Sequence, residues 1–143
     1  MNCEEINMTQ EFFIQTIPQG QARARFARVG SFVKTYDPKQ SKDYKSDIRY
    51  QVMYTNHTLM EGPLTLILEF YMPRPKSHFN KKGLKQLAPS WHQVKPDLDN
   101  LVKAVKDSVR GLLYNDDSQV CNLLAQKKYG DFTGIKITLK EAV

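Results

Sequence analysis

Cysteine is almost missing from this sequence: among 143 residues there are two, Cys3 and Cys121, far apart in the chain. One such pair builds no disulfide framework, and its spacing makes no zinc motif. Long apolar runs are missing as well. The longest, around Leu64 to Leu68 and Phe70 to Met72, is broken by Glu69. It has the length of a strand and falls short of a membrane span. The first residues, with Glu4 and Glu5, hold no apolar segment of the kind a secretory signal needs. Internal repeats and low-complexity segments are absent too. These absences argue against a secreted, disulfide-stapled or membrane-spanning protein, and they favour a reducing, cytoplasmic setting.

What is present is positive charge. Lys and Arg number 21 against 15 Asp and Glu, a formal net charge of +6. A polyanionic partner is expected, nucleic acid ahead of an anionic membrane. The charge is unevenly spread. Residues 73–96 hold Arg74, Lys76, Lys81, Lys82, Lys85 and Lys95 and no acidic residue. Hydrophobic content of 41% is ordinary for a globular chain. The length suits one domain, residues 1–143, able to bury about two thirds of the surface its unfolded chain exposes.

Periodicity outlines the fold. Phe12 to Ile17 reads as a first strand, ended by Pro18. Gln19 to Arg28 is a basic, glycine-containing stretch. From Pro38 to about Tyr54, Tyr44, Ile48 and Val52 recur every four residues, which predicts a helix with Pro38 at its first turn. Leu64, Leu66, Leu68, Phe70 and Met72 alternate with Thr65, Ile67, Glu69 and Tyr71 in the clearest strand, closed by Pro73 and Pro75. Residues 73–96 read as a long loop, and such a loop in a compact domain is usually functional or disordered. From Asp97 a second helix begins. Leu98, Leu101, Val105, Val109 and Leu112 form its core-facing stripe, and it ends near Gly111 to Tyr114. Asn115-Asp116-Asp117-Ser118 is a turn signature. Val120 to Tyr129 reads as a strand, Gly130 to Gly134 as a turn, and Ile135, Ile137 and Leu139 as the inner face of a last strand. The expected class is α+β: a two-layer sandwich, a mixed four-stranded sheet with two helices in the order β-α-β-α-β-β.

Chemistry concentrates in Lys95-Pro96-Asp97-Leu98-Asp99-Asn100-Leu101-Val102-Lys103. Residues two apart in a helix point to nearly opposite sides. If Asp97 and Asp99 share an ion, Asp97 must lie at or before the first turn, in a non-helical conformation. Pro96 favours that, since it fixes its own backbone and disfavours a helical Lys95. Some twenty residues on comes Asp116-Asp117. A strand running beside the helix could bring Asp117 back to Asp97 and Asp99. Clustered carboxylates suit phosphodiester hydrolysis. They hold Mg²⁺ while leaving waters on it, and one or two such ions activate the attacking water and stabilise the leaving oxygen. Lys103, four residues after Asp99 on the same helix side, offers a cation for charge building on the phosphoryl oxygens. Taken singly, each residue also has a structural reading: Asp97 as a helix cap, Asp99 and Lys103 as a surface pair, Asp116-Asp117 as a turn.

Together these residues resemble the RusA family of Holliday junction resolvases. The pattern is D-x-D-N-L-x-K in Asp97 to Lys103, then Asp107, then D-D-x-Q-V in Asp116 to Val120. Arg23-Ala24-Arg25-Phe26 and Lys127-Lys128-Tyr129 are similar to members as well, although Ala24 stands where many carry proline. The resemblance implies catalytic, metal-binding Asp97, Asp99 and Asp117, an active-site Lys103, and a basic residue at Lys95 before the motif. It also implies Mg²⁺ or Mn²⁺, a homodimer, and paired symmetric nicks across a four-way junction in recombination and repair, often from a prophage. The expected partners are branched DNA and a second copy of the chain, without a membrane or a nucleotide cofactor. Two other readings remain open: a metal-dependent nuclease for other branched DNA, and a catalytically silent junction binder.

Several further residues bear on DNA. Arg23, Arg25, Arg74, Lys76, Lys81, Lys82 and Lys95 are the expected phosphate contacts, with Arg28 beside them. Phe79 and Trp91 could stack on unpaired bases, and packing or a dimer contact is the other reading for Trp91. His57, His78 and His92 have no ligand spacing and read as surface or loop histidines, although His92, near the acidic motif, could approach the substrate. Asp107 is assigned a structural role, and Cys121 is expected to be a small packed residue.

Overall fold

The computed structural model describes residues 8–143, so Cys3, Glu4 and Glu5 lie outside the described residues. The main sheet contains four strands: β1 (Thr9–Gln15), β4 (Leu64–Met72), β7 (Val120–Tyr129) and β8 (Gly134–Glu141). They lie in the order β1-β8-β4-β7. β8 runs antiparallel to both β1 and β4, while β4 and β7 are parallel. Two helices, α1 (Lys39–Met53) and α2 (Leu98–Val109), supply the second layer. The expected α+β class, the mixed sheet and the β-α-β-α-β-β order of the main elements all hold.

The alternation in β4 has the predicted cause. Leu64, Leu66, Leu68, Phe70 and Met72 are all buried, and the residues between them only partly so. On α1 the buried positions are Ser41, Tyr44, Ile48 and Val52. On α2 they include Leu101, Val105 and Val109, each with 0% exposure. Burying side chains of that size contributes roughly 1.5–3 kcal/mol apiece, which is why the stripe spacing locates the helices so well. Parallel strands cannot be joined by a tight turn. The connection from β4 to β7 therefore runs through 73–96 and back along α2. This crossover puts the N-terminus of α2 beside the C-terminal half of β7, where Lys127 reaches the segment before Asp97.

The fold departs from the sequence reading in several places. The first strand lies earlier than Phe12 to Ile17. Its inner residues are Phe12 and Ile14, and Ile17 is exposed. The stretch after Gln19 contains half of a hairpin, β2 (Arg25–Val29) with β3 (Phe32–Tyr36), joined through Gly30 at φ 61°. Residues 73–96 are not plain loop. They hold a 3-10 turn at Lys76–His78 and a minimal hairpin, β5 (Phe79–Asn80) with β6 (Gly83–Leu84). α2 ends at Val109, earlier than Gly111 to Tyr114, because Gly111 takes φ 81° and turns the chain. Cys121 is exposed: it lies on the edge strand β7 at a bulge between Val120 and Asn122, with no pairing position on β4.

Candidate active site

Asp97 occupies the position just before α2, with an extended backbone at φ −70° and ψ 145°. Asp99 is in the first turn of the helix. This is the arrangement that lets carboxylates two residues apart serve one ion. The Asp97 side chain does not cap the helix. Its two oxygens accept hydrogen bonds from Lys95 Nζ at 2.8 and 2.9 Å. That bond and the lysine charge hold the Asp97 carboxyl below the usual carboxylate range. Asp97 thus stays anionic and exposed, available to a cation that displaces the lysine.

Two neighbours fix this motif. Lys127 Nζ, from β7, donates to the carbonyl oxygens of Val94 at 2.5 Å and Pro96 at 2.6 Å. On the other side Gln21 N–H donates to the Asn100 carbonyl at 3.0 Å. A Cβ on Gly20 would lie 3.3 Å from both Pro96 and Asn100, so any larger residue here would press on the motif. The approach segment is also laid along the open edge of β7. Tyr129 N–H donates to the Ser90 carbonyl, and His92 N–H to that of Lys127. His92 is therefore buried, in contrast to the surface reading. Burial and the Lys127 charge push its imidazole below the usual range.

Next to Asp99, Lys103 lines an open groove of about 620 Å³ between α2 and β7, with Leu98, Val102, Lys106 and Leu123. Asp99 and Lys103 are thus presented together, one turn apart on one side of the helix.

Asp117 sits elsewhere. It opens a 3-10 turn, Asp117–Gln119, just before β7. Tyr114 Oη donates to it at 3.3 Å, and Arg110, at the C-terminal end of α2, lies 3.6 Å away. From Val120 to Lys127, which touches the Asp97 motif, there are seven strand steps, about 23 Å. A single protomer therefore brings Asp97 and Asp99 together and leaves Asp117 at the far end of α2 and β7. Among the described residues no three His, Cys, Asp or Glu side chains form a group that could hold a metal ion. The donor chemistry of Asp97 and Asp99 nevertheless fits Mg²⁺, a hard ion commonly held by one or two carboxylates with waters and substrate phosphate.

The neighbouring acids have structural employment. Asp116 caps the 3-10 turn through Ser118 N–H, while the Gln119 side chain accepts from the backbone of Asn115 and Asp116. Asp107 accepts from Lys45 at 2.7 Å, and Lys45 also donates to Asp37 at 2.7 Å. Asp117 is the acid of this region that no cap consumes.

The expected DNA contacts divide into two sets. Arg23 and Arg25 are exposed at the entry to β2, and Lys76, Lys81 and Lys82 on the 73–96 segment. Arg74 is instead a brace. It donates to the Pro89 carbonyl at 2.8 Å and stacks over Tyr129. Lys95 is paired with Asp97, although its side chain is largely exposed. Trp91 is exposed at 59%, and its backbone bridges to Lys128. Lys127 is the residue whose site role the sequence reading missed. Only its place in a basic pair near a strand end hinted at it.

Comparison with known proteins identifies the family. The family described as Endodeoxyribonuclease RusA matches residues 16–140. The chain belongs to this family of endodeoxyribonucleases. It is also 33% identical over 135 residues to the uncharacterized protein YqaN of Bacillus subtilis (strain 168), covering 92% of this chain and 95% of that protein. No helix among the described residues is long and apolar enough to cross a membrane.

Proposed function

We propose that this protein is a Mg²⁺-dependent, or Mn²⁺-dependent, endodeoxyribonuclease that resolves four-way DNA junctions by paired symmetric nicks. It would act as a single-domain subunit of a homodimer, in the cytoplasm, in recombination and repair. The observation that carries the reading is Asp97, extended just before α2, beside Asp99 in its first turn, with Lys103 next to Asp99 on an open groove. A bound Mg²⁺ would supply an activated water and charge stabilisation at the scissile phosphate. Asp97 and Asp99 hold the cation, Lys103 offsets charge on the phosphoryl oxygens, and exposed cations on both flanking segments hold the DNA arms.

Asp117 supports the dimer part of this reading. If it serves the same ion, it must come from a second copy. The open edge of β7 suits that exchange. Its C-terminal residues are covered by Ser90 and His92, whereas Cys121 to Leu124 are exposed, with Leu123 and Leu124 both about half so. Antiparallel pairing of Cys121–Leu124 with itself about a two-fold axis sets position 117 of one protomer across from position 128 of the other. The partner's Asp117 then arrives beside Lys127 and the Asp97 motif. Two such sites would explain two symmetric nicks.

The test is cleavage of a synthetic four-way junction by the purified protein, with and without Mg²⁺ and Mn²⁺. Wild type should yield nicked duplexes only with metal, and Asp97→Asn should bind the junction without cutting it. Binding without any cleavage by wild type would leave a silent junction binder. Equal cutting of forks and four-way junctions would favour the broader branched-DNA nuclease.

A further inference from the structure

The hairpin β2–β3 belongs to no part of the site described so far. No residue of either strand is buried, and both of its faces are open. Phe26 is 73% exposed and Phe32 77%. A two-stranded hairpin that buries no face is marginal in water on its own. This one is anchored at its base instead. Before β2, Gln21 is bonded to Asn100 of the acidic motif. After β3, Asp37 is bonded to Lys45 of α1. The root is thus tied to the active-site helix layer while the tip stands free. Five residues per strand give a projection of roughly 17 Å.

The composition of the hairpin is graded along its length. Beside the Gly30-Ser31 turn, Val29 and Phe32 lie directly opposite each other, the apolar end of the arm. Toward the root, Arg28 pairs with Val33, Ala27 with Lys34, and Arg25 with Tyr36. From Thr16 to Tyr36 there is no acidic residue. The tip itself, Val29 to Phe32, carries none of the Arg, Lys, Asn or Gln side chains that read base edges in an intact groove. It has the chemistry of a wedge: aliphatic and aromatic groups that enter between bases or stack on them, with arginines that hold the flanking phosphates.

We propose that the Val29–Phe32 tip inserts at the exchange point of a branched DNA and stacks on bases opened there, while Arg25 and Arg28 grip the adjacent backbone. The inference rests on the branched-DNA reading above and adds to it a structural basis for choosing junctions over duplex. The occupant is DNA rather than a second copy of the chain. The arm is cationic without a compensating acid, and the chain as a whole carries +6.

The experiment uses a four-way junction and a linear duplex of matched sequence, each carrying 2-aminopurine at the position of the exchange point, in EDTA so that nothing is cut. The full-length wild type should raise 2-aminopurine emission on the junction and not on the duplex. The variant V29A/F32A should abolish that rise and weaken junction binding roughly tenfold, the scale of one lost stacking contact, with duplex affinity unchanged. Phe32→Trp should restore both, which separates stacking from a hairpin that has merely come apart. Retention of the emission rise and of junction preference by V29A/F32A overturns the proposal. So does conversion of a wild-type dimer to a monomer by V29A/F32A, which would make the tip a subunit contact. If the wild type itself shows no preference for the junction, the branched-DNA reading falls, and the wedge falls with it.

Discussion

Lys127 Nζ donates to the carbonyl oxygens of both Val94 and Pro96, and so holds the residues before Asp97 against β7. The strand that belongs to the sheet thereby sets the position of the carboxylate that precedes the helix. Lys127→Met keeps most of the side-chain length and removes the donor. Losing hydrogen bonds to a charged donor should cost about 2 kcal/mol of stability. The larger effect falls on geometry, because a shift of about 1 Å at a reacting group lowers rates about a hundredfold. Single-turnover junction cleavage should drop by that order, with much smaller loss of binding in a mobility-shift assay. Equal losses in both would make Lys127 a DNA contact and not a positioning residue.

Tyr114 and Asp117 form a second positioning pair. Tyr114 is fully buried, and its hydroxyl donates to the Asp117 carboxylate at 3.3 Å. Burial, reinforced by the Asp117 charge, raises the Tyr114 pKa far above the usual phenol value, so the hydroxyl stays a donor at any working pH. Tyr114→Phe removes a hydroxyl that also reaches the Lys106 carbonyl at 3.4 Å, and little volume. Stability should fall by about 1 kcal/mol, measured by urea unfolding. Cleavage should fall several-fold, while Asp117→Asn should abolish it. A Tyr114→Phe enzyme with wild-type rates would mean that Asp117 is placed by its backbone alone.

Much of this arrangement was legible in the sequence. The Leu98-to-Val109 stripe located α2, and an ion shared by Asp97 and Asp99 would require an extended Asp97, the backbone found there. Such features are set locally, by helix period and by proline. The hairpin β2–β3 was missed because period-two alternation reports a buried face, and this hairpin has none. Its one signal was Gly30-Ser31 between two short β-prone runs. The place of Asp117 was beyond local reasoning for another reason. It depends on β7 pairing parallel to β4, which carries the start of the strand to the opposite end of the molecule from Asp97. Exposure of Cys121 follows from the bulge at the start of the same edge strand.

Lys45 joins the hairpin root to α2 through Asp37 and Asp107, with its own side chain only 11% exposed. Burial alone would lower its pKa. The hydrogen bonds and charges of Asp107 and Asp37 outweigh burial, and the net shift is upward from 10.5. A lysine with a raised folded pKa stabilises fully below its unfolded value and loses that contribution as pH rises through the folded one. Lys45→Met should therefore cost about 2–3 kcal/mol at pH 7. The gap between wild type and variant in urea unfolding should narrow as pH rises above about 10.5, as the wild-type lysine loses its proton. A gap that does not change over that rise would assign the effect to packing.

The edge of β7 supplies the strongest test of how the three aspartates meet. Leu123 and Leu124 point to opposite faces of an edge strand and are 51% and 54% exposed. An open apolar edge of this kind is normally protected by charge or by a partner. Cys121 to Leu124 carries no charge. Leu124→Lys introduces one within the expected two-fold contact, at a position open enough for the protomer to fold around it. Light scattering should show a wild-type dimer and a Leu124→Lys monomer that still unfolds cooperatively, with a melting point lowered by the lost association. Metal-dependent cleavage should disappear with the dimer, because each protomer retains Asp97 and Asp99 but has lost the partner's Asp117. Mixing Asp97→Asn with Asp117→Asn protomers gives a sharper result. If sites are shared across the edge, mixed dimers contain one site with both defects and one with neither, so single nicks return although each parent is inactive. If all three aspartates act within one protomer, the mixture stays silent.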